Sequence, residues 1–109
     1  MFSKFDEEVR KILLNSNKEM SLLKHPYVGS EHLLLSILKK DNIVSRNLKD
    51  YGVTYDSFRQ EIVKIIGVGN AESDYFVYTP LLKKVIENSI ILSKEQGNKE
   101  VTLECLFLS

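Results

Sequence analysis

Glu31 and Glu104 stand 73 residues apart, each at the expected start of a helix. A carboxylate in a first helical turn lies beside unpaired backbone N–H groups and has two uses. It steadies the helix dipole, which contributes a few tenths to about 1 kcal/mol. It also offers negative charge to a cation while the neighbouring N–H groups receive an anion. Two such places suit a group that is positive at one end and negative at the other. The residue types leave both uses open.

Other chemistry finds little support. No G-x-x-x-x-G-K-[ST] or G-x-G-x-x-G run occurs, and Gly67-Val68-Gly69 follows a helical pattern rather than a strand, so it reads as a linker. The metal-ligand set is thin: His25, His32, Cys105 and scattered carboxylates. Glu31 and His32 are adjacent and so are expected on different sides of a helix, and His25 before Pro26 reads as a loop residue. Cys105 has no base suggested beside it and reads as a buried structural thiol. The expectation is no catalytic residue, no metal and no cofactor.

What positions the two glutamates is a duplication. Residues 5–36 and 78–109 align without a gap, and eight of 32 pairs are identical, among them Asn15/Asn88, Ser16/Ser89, Val28/Val101 and Glu31/Glu104. Chance would supply about two, so a repeated structural unit is expected. Cys105 takes the place of His32. The period is helical throughout. Val9, Ile12, Leu13, Ser16 and Met20 predict a first helix over 6–23, ending before His25-Pro26. Ser30 is the expected cap of a second helix, apolar nearly all round and so deeply buried. Asp41 is the expected cap of a third, which stops near Gly52, and Thr54 of a fourth carrying Phe58, Ile62, Ile65 and Ile66. Residues 67–77 link the copies. Thr79-Pro80 opens a fifth helix that stops at Gly97, and a sixth begins at 101–104.

The expected fold class is all-α, a duplicated helical repeat about an approximate twofold axis, with a complete four-helix first copy over 1–66 and a partial second over 78–109. The offset places a complete pair at about 139 residues. About 30 are therefore absent from the second copy, whose core is expected to lie open and to promote self-association.

The 109 residues fit one small domain. Fifteen basic and fifteen acidic residues cancel, which argues against nucleic acid and against an anionic membrane as partners. No apolar run reaches the length of a membrane span, no signal-peptide layout opens the chain, and a single cysteine suits a reducing compartment, so the expected location is the cytoplasm.

The segment His25-Pro26-Tyr27-Val28-Gly29-Ser30-Glu31-His32-Leu33-Leu34-Leu35 resembles the H-x-Y-V-G-T-E-H-L-L-L motif of the Clp N-terminal repeat domain. Tyr78-Thr79-Pro80 through Lys83-Lys84-Val85-Ile86-Glu87-Asn88-Ser89 resembles the opening of that family's second repeat. Met1-Phe2-Ser3-Lys4-Phe5 also fits, and the match is nearest the ClpC branch. The resemblance implies two packed four-helix repeats at the front of an ATP-driven unfoldase that feeds a peptidase. It implies a domain without catalysis that docks adaptor proteins and protein clients. The alternative is a freestanding protein of this type that competes for adaptors or clients without an ATPase. In the ClpC branch the domain also takes phosphoarginine, once per repeat. By the resemblance Glu31 and Glu104 would receive the guanidinium, with Asp6 at the phosphate of the first copy's site beside Glu31 and Thr79 at that of the second copy's site beside Glu104. Asp6 carries a carboxylate where threonine is expected, and Thr102-Leu103-Glu104-Cys105 replaces Gly-Thr-Glu-His. A carboxylate repels a phosphate, so weak or absent phosphoarginine binding is expected.

Overall fold

The computed structural model describes residues 4–72 and 75–109. The first three residues, part of one matching segment above, and residues 73–74 of the linker lie outside that range. Six helices follow in order: α1 Glu7–Leu22, α2 Ser30–Lys39, α3 Ile43–Lys49, α4 Tyr55–Ile65, α5 Pro80–Glu95 and α6 Leu103–Leu108. All but α2 begin where the side chain of a capping residue takes up an orphan N–H group. Asp6 accepts from Val9 N at α1, Thr54 from Ser57 N at α4, Thr79 from Leu82 N at α5 and Thr102 from Cys105 N at α6. Two caps differ from the sequence expectation. Asn42, not Asp41, caps α3, because its amide both accepts from Ser45 N and donates to Ile37 O. Asp41 instead faces Arg46 at 3.6 Å on the surface. Gly29, not Ser30, is the cap position of α2, for a reason that belongs to His32 below.

The duplication is visible bond for bond. α1 and α5 both run 16 residues and start 73 positions apart. At the end of α1, Leu23 N donates to Glu19 O, Lys24 N to Ser21 O and His25 N to Met20 O. At the end of α5, Gln96 N donates to Leu92 O, Gly97 N to Lys94 O and Asn98 N to Ser93 O. The pivot of each turn is left-handed. Gly97, at φ 76°, takes that shape without a Cβ penalty, whereas Lys24, at φ 55°, bears about 1 kcal/mol of strain. Ser16 Oγ donates to Leu13 O, and Ser89 Oγ to Ile86 O.

The copies join through two isolated parallel bridges, Phe5 with Val101 and Val28 with Tyr78. Adding the repeat offset to one bridge gives the other with its partners exchanged, which is the signature of an approximate twofold axis. The hydrogen bonds obey the same exchange: Asp6 N to Val101 O and Val101 N to Lys4 O, against Thr79 N to Val28 O and Val28 N to Val77 O. One core spans both copies, built from Phe5, Val9, Leu13 and Val28 of the first and Leu82, Ile86, Val101 and Leu106 of the second.

α4 closes the first copy. Its Ile62 covers Leu35 and Leu23 in a second cluster. Tyr55 Oη, at its start, donates to the buried carboxylate of Glu19 at 2.5 Å, with Lys39 Nζ 4.4 Å from the ring centroid. Burial, together with the Glu19 charge, pushes the Tyr55 hydroxyl up to about 12. No helix among the described residues covers the equivalent place in the second copy. Leu35 is fully buried, but Leu108 at the matching position is 70% exposed, with Phe107, Leu81 and Ile91 open as well. The expected bare flank of the second copy is therefore present.

Candidate functional site

The four residues singled out from sequence all lie at helix starts: Asp6 caps α1, Thr79 caps α5, and Glu31 and Glu104 occupy the first turns of α2 and α6. The bridges decide which meet. Thr79 N bonds Val28 O, so the start of α5 lies against the start of α2 and Thr79 neighbours the segment that leads to Glu31. Asp6 N bonds Val101 O, so Asp6 neighbours the segment that leads to Glu104. The pairing therefore crosses between copies. Reading each repeat along the chain would pair Asp6 with Glu31 and Thr79 with Glu104; the fold does not bring those together.

The crossing sorts the sequence departures. The α5/α2 end holds Thr79 with the run Val28-Gly29-Ser30-Glu31-His32, which differs from the motif only by serine in place of threonine. The α1/α6 end holds Asp6 with Thr102-Leu103-Glu104-Cys105. Each carboxylate cap is occupied in a different way. Asp6 Oδ1 is committed to Val9 N at 2.8 Å, and Glu104 is exposed. Glu31 folds back over Gly29, its Oε1 only 2.1 Å from where a Cβ on that glycine would sit. A side chain at position 29 would push the carboxylate off this seat, which is a reason for glycine at a cap position.

His32 and His25 form a feature that the sequence concealed. His32 is 1% exposed and His25 7%. Gly29 N donates to His32 Nδ1 at 2.8 Å, which replaces a capping side chain that glycine lacks. Because a backbone N–H only donates, Nδ1 must accept, and the His32 proton resides on Nε2. Nε2–H then donates to His25 Nδ1 at 2.8 Å, and His25 Nε2–H donates to Gly67 O at 2.7 Å. One chain of neutral imidazoles thus ties the start of α2 to the strap that follows α4. Burial pulls His32 below its usual 6.5, against the pull of the Glu31 charge, with His25 adding to the depression. Glu31 Oε1 is 3.3 Å from His32 Nδ1, closer than neighbours on a helix suggest, because the ring turns back towards the helix start. That contact is not an ion pair while Nδ1 is unprotonated.

The second copy retains a reduced form of this arrangement. Asn98 takes the place of His25 and Cys105 that of His32, with Asn98 Nδ2 3.7 Å from Cys105 Sγ. Cys105 is buried, as expected of a structural thiol.

The sequence profile of the Clp repeat (R) N-terminal domain matches residues 4–109. The chain is 33% identical over 109 residues to chaperone protein ClpB of Oceanobacillus iheyensis, which covers 99% of this chain and 14% of that protein. It is 32% identical, with the same two shares, to the Bacillus subtilis protein named negative regulator of genetic competence ClpC/MecB. It spans about one seventh of the length of these relatives. Its fold also matches a ClpV N-domain solved in complex with a VipB peptide, with a TM-score of 0.77 and 24% identity over 98% of this chain and 67% of that one. The profile spans nearly all of the sequence and both relatives exceed 30% identity over it: the chain belongs to the Clp repeat N-terminal domain family.

Proposed function

We propose that this chain is the adaptor- and client-docking domain of a Clp-family ATP-dependent unfoldase, acting in the cytoplasm in regulated proteolysis and protein quality control. Its partners are adaptor proteins, protein clients, and the remainder of a Clp ATPase with its peptidase. The domain itself performs no catalysis. The observation that carries this reading is the family match over residues 4–109, supported by a neighbouring fold whose solved form holds a peptide. The first repeat covers 1–66, the second begins at 78, and 67–77 connect them within one compact domain. Reading the gene past the Ser109 codon tests the attachment: a Walker-type ATPase downstream is expected, and a stop codon there would remove it.

Docking of a cationic, phosphate-bearing side chain is assigned to one end of the dyad only. Glu31 receives the guanidinium and Thr79 stands at the phosphate. Asp6 and Glu104 put two carboxylates at the other end, where a phosphate is repelled. Losing one of two sites removes the gain from simultaneous engagement, so phosphoarginine-marked clients bind weakly. Calorimetry with free phosphoarginine is expected to show one equivalent with a dissociation constant of about 0.1–1 mM, abolished in Glu31→Gln. Two equivalents, micromolar affinity, or binding that survives that substitution would overturn the assignment.

The bare flank around Leu108, Phe107 and Leu81 supports self-association of the 109-residue chain. Sedimentation equilibrium at tens to hundreds of micromolar is expected to show dimers; a strict monomer throughout would remove this contact.

A further inference from the structure

We propose that His32 is a proton-operated switch over Glu31: on protonation its imidazole exchanges the Gly29 N–H for the Glu31 carboxylate and withdraws that carboxylate from a cationic ligand. The inference rests on the reading of Glu31 as the cation-receiving group.

The geometry supplies two competing partners for a single atom. Nδ1 of His32 lies 2.8 Å from Gly29 N, which needs a lone pair there, and 3.3 Å from Glu31 Oε1, which needs a proton there. Both demands cannot be met together. In the neutral arrangement Glu31 keeps its charge for a ligand. In the protonated one Nδ1–H pairs with Glu31, Nε2–H keeps its bond to His25, and the Gly29 N–H is left without its acceptor. Two discrete arrangements separated by one proton are what a switch requires.

The surroundings favour a proton at Nδ1 of His32 as the controlling event. Glu31, on the same helix, attracts it; His25, from the α1–α2 loop, opposes it. α5, which abuts the start of α2, has no acidic residue in its first turn. From α1, the buried Glu19 is engaged by Tyr55; Lys24, in the turn after α1, and Lys64, near the end of α4, are exposed. With burial dominating, His32 is held below 6.5, so the exchange takes place at a lower pH than a free imidazole needs. The unfolded chain takes up this proton first, so the stability that the neutral relay contributes is complete above about pH 6.5 and declines as pH falls from there towards the folded value.

Linkage makes the effect reciprocal: a cation seated on Glu31 screens the charge that favours His32 protonation, so binding releases a proton. The test uses the full chain and nuclear magnetic resonance, with pH lowered from about 7.5 until His32 titrates. His32 Nδ1 is expected to pass from acceptor to protonated shift in the same step that moves the Gly29 amide resonance. In Glu31→Gln the His32 midpoint falls, since the raising charge is gone. A Gly29 amide that stays still while His32 titrates, or an unchanged midpoint in Glu31→Gln, overturns the switch. In the ligand arm, phosphoarginine affinity is expected to fall over the pH range in which His32 takes up its proton and to be flat over that range in His32→Gln, which retains an acceptor but no titration. An equal drop in His32→Gln, or none in the parent chain, also overturns it. Failure of phosphoarginine to bind at any pH removes the docking assignment instead, and the resonance arm still decides the switch.

Discussion

Replacing Phe5 with alanine is expected to lower the unfolding free energy by about 3–5 kcal/mol. Phe5 is fully buried at the dyad, where it sits in the shared core and its backbone bridges Val101 of the other copy. Truncation removes a ring from the place where both repeats meet, and the bridge partner Val101 is itself buried and unable to move in without cost. A domain of this size has only about 5–15 kcal/mol in total, so the variant should unfold at a much lower urea midpoint. Tyr78, its counterpart across the dyad, is half-buried and packs at the core's edge. Tyr78→Ala should therefore cost less than Phe5→Ala. Chemical denaturation of the two variants side by side gives the answer, and equal losses, or a Phe5→Ala loss below about 1.5 kcal/mol, would contradict the asymmetric core.

Gly69→Ala is expected to release the strap that follows α4. A Cβ at position 69 would lie 2.0 Å from Lys24 O, a backbone atom at the strained turn after α1. Neither side gives easily, since Lys24 O already receives Ala71 N at 3.0 Å and Leu23 O receives Gly69 N at 2.8 Å. Moving the strap away also takes Gly67 O from His25. Three hydrogen bonds at about 0.5–1.5 kcal/mol each place the loss near 2–4 kcal/mol. Amide exchange at Ala71 should accelerate by a factor of about 30 or more. Unchanged exchange there would show that the strap is not held by this close approach.

Much of the helical layout was legible because the signals are local. Thr54, Thr79 and the left-handed stop at Gly97 mark helix ends by their own chemistry, and Val9, Ile12, Leu13 and Met20 mark a buried face by spacing alone. Where two neighbouring polar residues competed for a cap, spacing failed. Asp41 and Asn42 are both good caps, and only the long-range acceptor Ile37 O selects the amide. Glycine at position 29 concealed its role for a similar reason, since the acceptor that serves it is carried by His32, three residues later. The paired glutamates were visible from the repeat, but their neighbours were not. Alignment matches like with like, whereas an exchange of bridge partners sets the front of one copy against the middle of the other. His25 looked like a loop residue and is one; that it is buried against an imidazole and a carbonyl from residue 67 depends on contacts across 42 positions.

The crossed bridges also set a schedule for synthesis. Phe5 finds its backbone partner at Val101, so this bridge forms only after the front of the first copy meets the middle of the second. Contacts of such long separation slow the search for the native state. A nascent chain leaving the ribosome carries its first four helices for some time with the edges at Phe5 and Val28 unanswered. Holding factors would have most to protect in that interval, and a fragment cut after residue 66 would remain at that stage permanently.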